Sequence, residues 1–240
     1  MSKSTKGKTD KKVRIILQSG DFKEGILNGK GYTEYSDGRQ YEGNYTNGVL
    51  NGQGVLKLAS GDIYSGDFVN DEVNGMGRLS RMDNSFIVGK FVGTYTRTEG
   101  IIQEHTSDGS VYTGTLKNLL RDGKGRLETQ DNNVYDGDWK QGLRHGYGTA
   151  IFSNGDSYTG QWLNDQIHGK GIYKWKDGSI YDGDWVNGKQ TGHCEWTYFD
   201  HSKYIGSVLN GERSGRGRLE YNSNYCLDGF WDKDHYKGLF

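Results

Sequence analysis

The sequence predicts an all-β fold, an elongated, twisted, single-layer antiparallel sheet built from tandem β-hairpins. Three observations predict it. Glycine recurs on a 23-residue beat, side-chain character alternates with a period of two inside each beat, and none of the 240 residues is proline. A two-residue period is the mark of strands. The missing proline fits strands that must each donate backbone N–H groups to a neighbour.

Composition supports the same class. Only 32% of residues are hydrophobic, against 39 glycines and 25% charged groups, a balance closer to a solvated, turn-rich β structure than to a packed globule. The 17 tyrosines and 6 tryptophans exclude simple disorder, since disordered chains are poor in aromatics.

Residues 1–14 come first and read as a basic, flexible tail. Lys3, Lys6, Lys8, Lys11, Lys12 and Arg14 face Asp10 alone, with Ser and Thr between them. The plain reading is a solvated end; the functional alternative is an electrostatic tether to anionic lipid or to an acidic protein surface. The formal net charge of −1 creates no global field for nucleic acid, which is not expected as a partner. Apolar runs such as Ile15 to Leu17 are far too short to span a bilayer, and no apolar leader segment follows the start, so a cytoplasmic location is expected. Cys194 and Cys226 form no disulfide framework or CxxC site.

The array of residues 15–240 follows. Gly20, Gly43, Gly66 and Gly89 lie in one register and Gly114, Gly137, Gly160, Gly183, Gly206 and Gly229 in another, with a single irregular step of 25 residues between Gly89 and Gly114. Two residues before that glycine stands tyrosine in most units, as at Tyr41, Tyr64, Tyr112, Tyr135, Tyr158, Tyr181 and Tyr204. Two residues after it stands an aromatic in most, as at Phe68, Trp139, Trp162, Trp185 and Trp231. Nine residues after it comes a Gly-x-Gly pair, as at Gly146/Gly148 and Gly169/Gly171.

Turn chemistry joins these pieces. Asn47-Gly48, Asn187-Gly188 and Asn210-Gly211 sit inside units, while Asp37-Gly38, Asn154-Gly155 and Asp177-Gly178 sit between them. Such dipeptides tolerate the positive φ of tight hairpins, so each unit reads as one hairpin. A Tyr or Trp ring can then lie over the bare Cα of a glycine on its own or the next strand. Residues 87–113 depart from the pattern, with Ile87 for tyrosine, Thr98 for glycine and two extra residues, and a bulge, longer turn or bend is expected there.

The motif Tyr158-Thr-Gly-Gln-Trp162-Leu-Asn-Asp165-Gln-Ile-His-Gly169-Lys-Gly171 resembles the MORN (membrane occupation and recognition nexus) repeat, and about ten registered copies cover residues 18 to 240. The resemblance implies an elongated twisted antiparallel sheet with an aromatic-lined groove. Stand-alone arrays of this kind include radial spoke head and other cytoskeletal proteins. Others tether membranes or accompany a kinase or methyltransferase domain, for which no segment remains here.

Chemistry-bearing constellations are weak. His145 and His168 are one repeat apart, which separates their backbones by two strands, about 9–10 Å, too far to preassemble a zinc site. The Asp136/Asp138 and Asp182/Asp184 pairs lack the rest of a calcium loop and are expected to face Lys124, Arg126 or Lys170 on adjacent strands. No nucleophile, base and pocket assemble, so no cofactor, no metal and no catalysis are expected.

The functional expectation is a non-catalytic scaffold of a cytoskeletal assembly, with a ciliary axoneme and its radial spokes as the leading setting. The groove lined by Tyr135, Trp139, Tyr158, Trp162, Tyr181 and Trp185 would hold a helix or extended segment of another protein. Leucine at Trp139, Trp162 and Trp185 would then abolish capture and leave the array folded. The alternative is a phosphoinositide-binding membrane tether or an accessory module beside a separate enzyme.

Overall fold

The computed structural model describes residues 13–222 and 225–239. The predicted tail lysines Lys3, Lys6, Lys8, Lys11 and Lys12 lie outside these residues, whereas Arg14 lies within them and shares two backbone-mediated hydrogen bonds with Ser36. The chain forms two compact units divided between Glu99 and Gly100.

In the first unit the strands are β1 (Ile15–Lys23), β2 (Ile26–Tyr35), β3 (Gln40–Thr46), β4 (Val49–Lys57), β5 (Ile63–Val69), β6 (Glu72–Ser80) and the opening part of β7 (Phe86–His105). The second unit holds the end of β7 and then β8 (Val111–Lys117), β9 (Leu120–Glu128), β10 (Val134–Lys140), β11 (Leu143–Ile151), β12 (Ser157–Leu163) and β13 (Gln166–Lys174). It continues with β14 (Ile180–Val186), β15 (Lys189–Thr197), β16 (Lys203–Leu209), β17 (Glu212–Asn222), β18 (Tyr225–Asp232) and β19 (His235–Gly238). Within each unit every strand pairs antiparallel with the next, and the described residues contain no helix.

The turns follow their residues. Asn47 and Gly48 both take positive φ, 49° and 83°, and so do Asn187 and Gly188, the pairing that a two-residue hairpin with right-handed strand twist requires. Between repeats the chain turns on a longer loop: Phe152 N–H donates to Asp156 O, and Gly155 N–H returns to Phe152 O, each at 2.9 Å.

Register puts the beat glycines side by side. Gly160 lies opposite Gly148 on one side and Gly171 on the other, and Gly183 lies opposite Gly171, so a row of bare backbone crosses the strands. Tyrosine rings fill that row. The Tyr158 hydroxyl reaches over both Gly160 and Gly171, where added Cβ atoms would collide with it, and donates to Gln161 O at 2.9 Å. Each hairpin also carries a register shift just after its first glycine. The shifted strand has an amide that needs an acceptor, and where an Asp or Gln follows the glycine its side chain supplies one. Asp67 accepts from Met76 N–H, Asp138 from Tyr147 N–H and Gln161 from Lys170 N–H.

The irregular repeat keeps part of this plan. Ile87 and Phe91 are fully buried at the tyrosine and aromatic positions, and β6 pairs with β7 from Phe86 to Gly93. Lys90 Nζ meets Glu99 Oε2 at 2.5 Å, across the same nine-residue interval that separates Asp67 from Met76. Pairing of β7 with β8 begins only at Ile102.

Candidate functional site

The six ring residues expected to line a groove are brought together on one face of the second unit, in an interlocked row. Tyr135 meets Trp139 of its own strand and Trp162 of the next hairpin edge-on, each with ring centroids 5.2 Å apart. Tyr158 makes the same two contacts with Trp162 and Trp185 at 5.3 and 5.7 Å. Edge-to-face pairs of this kind add about 0.5–1.5 kcal/mol beyond the area they bury. Each indole also donates inward: Trp139 Nε1–H to Gly125 O at 2.9 Å, Trp162 to Gly148 O at 3.2 Å and Trp185 to Gly171 O at 3.1 Å.

These rings are therefore core. None of the six is more than 5% exposed, because the hydroxyl ends cover glycines and the indoles fill the gap between successive hairpins. Leucine at Trp139, Trp162 and Trp185 would dismantle the packing that orders the repeats, contrary to the expectation that the array would stay folded.

Above the row, arginines replace the aliphatic residues that hold the same place in the first unit. Leu27, Leu50 and Val73 are buried there, whereas one repeat position along β9, β11 and β17 carries Arg121, Arg144 and Arg213. The Arg144 guanidinium lies 4.5 Å from the Trp162 ring centroid and is held by Asp165 at 3.0 Å. Arg213 repeats the arrangement with Trp231 and Asp234, and Arg121 lies over Trp139 while pairing with Glu104. A planar cation over an indole face is attracted by the ring quadrupole. A hollow of about 500 Å³ opens beside them, lined by Arg121, Tyr135, Trp139, Arg144 and Phe152. The first unit has its own hollow of about 450 Å³, lined by Tyr45, Leu50, Phe68, Val73 and Tyr95.

A second ring series lies beside the buried row, and sequence reasoning missed it. Phe152, Tyr173, Trp175, Trp196 and Tyr198 are all half-buried. They touch in order: Phe152 to Tyr173 at 5.9 Å, Tyr173 to Trp175 at 4.7 Å, Trp175 stacked on Trp196 at 5.7 Å, and Trp196 stacked on Tyr198 at 5.2 Å. Tyr173 lies opposite Tyr158 and Tyr181, and Trp196 opposite Tyr181 and Tyr204, which puts the series on the face of the buried row. The signal was present: positions 152, 175 and 198 are 23 residues apart, as are 150, 173 and 196.

Asp156 anchors this series. Burial alone would raise its carboxyl, yet donors from Lys176 N–H, the Tyr173 hydroxyl at 2.8 Å and the Asn154 amide outweigh it and hold the pKa below the usual carboxylate value. The charged oxygen thereby fixes one ring of the series and the turn of the following repeat.

The other sequence candidates are surface features. Lys124 pairs with Asp138 and Lys170 with Asp184, each at 2.6 Å, as expected, while Arg126 turns to Glu128 on its own strand. Such exposed pairs contribute little individually. No cluster of three or more His, Cys, Asp or Glu side chains that could hold a metal ion occurs among the described residues. Cys194 is buried at the place of a Gly-x-Gly glycine, opposite Gly183 and Gly206.

Three solved structures are similar to the chain at low identity. The TCP domain of Drosophila melanogaster SAS-4 (dCPAP), in complex with a proline-rich motif of Ana2 (dSTIL), is 13% identical, with 66% of this chain and 85% of that one covered and a TM-score of 0.39. The wild-type TCP10 domain of Danio rerio CPAP is 12% identical, with coverages of 76% and 88% and a TM-score of 0.43. The same domain in complex with a peptide of Danio rerio STIL is 12% identical, with coverages of 77% and 96% and a TM-score of 0.39. Comparison with curated proteins gave no match. The sequence profile of the MORN repeat matches residues 19–38, 41–63, 64–86, 135–157, 158–180, 181–203 and 204–224. These matches span more than half of the sequence and coincide with the hairpins and buried rings described above, so the chain belongs to the MORN repeat family.

Proposed function

We propose that the protein is a non-catalytic scaffold that holds a helix or extended segment of another protein along the aromatic face of its second unit. The observation that carries this reading is the half-buried series Phe152, Tyr173, Trp175, Trp196 and Tyr198, a continuous strip of rings on the same face as the buried Tyr135, Trp139, Tyr158, Trp162, Tyr181 and Trp185. Rigid aromatic surface with a polar rim is what interface anchors are made of, since it offers large contact area at small cost in side-chain entropy. The buried row keeps the strip in place and the strip meets the partner.

The setting proposed is a cytoskeletal assembly, specifically the ciliary axoneme and its radial spokes. Membership of the MORN repeat family, which includes radial spoke head and other cytoskeletal proteins, supports it.

Site-specific photo-crosslinking in native cells tests the binding face. A benzophenone side chain at Trp175 or Trp196 is expected to crosslink one recurrent partner, and the same group at Tyr147, on the opposite face, is not. Equal yields from all three positions, or none from the first two, would remove the aromatic strip from the interface. Imaging of a tagged chain against axonemal tubulin tests the setting separately, and exclusion from the axoneme would refute it.

A further inference from the structure

We infer that the aromatic strip takes a proline-rich segment of its partner, lying across the strands as a polyproline II helix, an inference that rests on the strip being the binding face. Spacing favours this conformer. Phe152, Trp175 and Tyr198 hold the same position in successive repeats, two strands apart, which sets them about 9.4–9.8 Å from one another. A polyproline II helix shows the same side every third residue, about 9.3 Å along its axis. Over the two steps from Phe152 to Tyr198 it stays within about 1 Å of the rings. An α-helix returns near the same side after seven residues, about 10.5 Å, and is out of step by about 2 Å over the same distance. An extended β segment shows one face at intervals of about 6.6 Å and falls out of step at the second ring.

The polar groups of the strip call for the same ligand. Of the six indoles in the chain, Trp139, Trp162, Trp185 and Trp231 each donate Nε1–H to a glycine carbonyl. The other two, Trp175 and Trp196, belong to the strip. Among the described residues neither of their N–H groups, nor the Tyr198 hydroxyl, has a hydrogen-bond partner, and all three are open to solvent. An indole N–H donates and cannot accept, so its complement is a ligand with spare carbonyls. A polyproline II segment makes no internal hydrogen bonds, which leaves its carbonyls free, and each proline removes a competing N–H. The carbonyls inside an α-helix already accept from the helix itself.

Charge at the border of the strip narrows the segment further. The turns that follow residues 129, 152, 175 and 198 carry Asp131, Asp156, Asp177 and Asp200, while the bases in them are Lys176 and His201. Asp131, Asp177 and Asp200 are exposed, so their charges face whatever lies on the rings. That surplus of carboxylate is complementary to lysine or arginine placed beside the prolines.

Fluorescence anisotropy with the full chain tests the occupant. The probe is a fluorescein-labelled peptide of nine prolines flanked by arginines, and an alanine-rich helical peptide with the same flanks is its comparison. The proline peptide is expected to bind about tenfold or more tightly than the helical one, because its bound conformation is already formed. Trp175→Phe and Tyr198→Phe keep the rings and remove one donor each. Each should weaken binding by about threefold to tenfold, whereas Tyr147→Phe on the opposite face should leave it unchanged. Circular dichroism of each variant checks that the sheet is intact. No binding of the proline peptide, equal or tighter binding of the helical peptide, or indifference to both strip substitutions overturns the proposal. Mapping the partner segment that benzophenone at Trp196 captures separates this failure from loss of the face. Attachment through a helical segment overturns the polyproline II assignment and leaves the binding face standing; no attachment at all removes the face itself.

Discussion

The Tyr158 hydroxyl occupies the space that a side chain on Gly171 would need. The ring belongs to β12 and the glycine to β13, so one residue's size and the other's lack of it are a single packing decision spread over two strands. Gly171→Ala is therefore expected to force the phenol off its bond to Gln161 O and to cost about 1–3 kcal/mol, the range for overpacking a filled core. Gly178→Ala is the control. Its φ is 93° with nothing within 4 Å of an added Cβ, so only the backbone penalty of about 1–2 kcal/mol applies. Urea unfolding of both variants, followed by tryptophan fluorescence, measures the two costs; no measurable loss at Gly171 would refute the packing argument.

Trp162 separates ring contact from hydrogen bonding. Phenylalanine there keeps edge contacts with Tyr135 and Tyr158 but leaves Gly148 O without the indole donor, for an expected loss of about 1–3 kcal/mol. Leucine removes the ring contacts as well, and a buried truncation of that size costs about 2–5 kcal/mol. If Trp162→Leu were no more destabilising than Trp162→Phe in the same urea titration, the interlocking of rings between hairpins would not be what holds successive repeats together.

Much of this architecture was legible because β-repeats write their geometry into spacing. Tyr158, Gly160 and Trp162 are two apart in sequence and share one face, and Gly160 meets Gly171 because the turn between them and the register shift after Gly160 together set the pairing. What spacing did not reveal was depth. From the sequence, Trp139, Trp162 and Trp185 looked like the lining of an open trough, yet each indole spans the gap to the previous hairpin and donates to a glycine carbonyl fourteen residues earlier. The half-buried strip was harder to see for a related reason. Its members change identity from repeat to repeat, with Ala150, Tyr173 and Trp196 at one position and Phe152, Trp175 and Tyr198 at the other, so no single residue type marks it.

Cysteine chemistry should distinguish the two thiols cleanly. Cys194 is 2% exposed, and burial pushes its pKa up to about 12, the bond with the Tyr181 hydroxyl working in the opposite direction without reversing the shift. Cys226 is exposed. A disulfide reagent at neutral pH is expected to modify one thiol rapidly in the folded chain and the second only on denaturation. Mass spectrometry of the digest identifies which. Rapid modification of Cys194 under native conditions would mean that the tyrosine–glycine row opens on the timescale of the reaction.

The tyrosine row predicts a definite response to alkali. Burial raises the phenol pKa of Tyr64 and of Tyr112 from 10 to about 12, in Tyr112 against the opposing pull of Arg121, and it drives those of Tyr158 and Tyr181 higher still. A phenol raised in the folded state ionises first in the unfolded chain. The stability linked to it is therefore whole below pH 10, falls as pH rises above that value, and is lost by the time pH has passed the folded-state pKa near 12. Stability should thus decline steeply with pH above 10, and phenolate absorbance from the row should appear with unfolding and not before it. Tyr64→Phe removes one such group, so its unfolding midpoint should fall less steeply over the same interval. A phenolate signal from Tyr64, obtained as the difference between wild type and variant, that developed while circular dichroism still reported the native sheet would show that the ring is open to solvent.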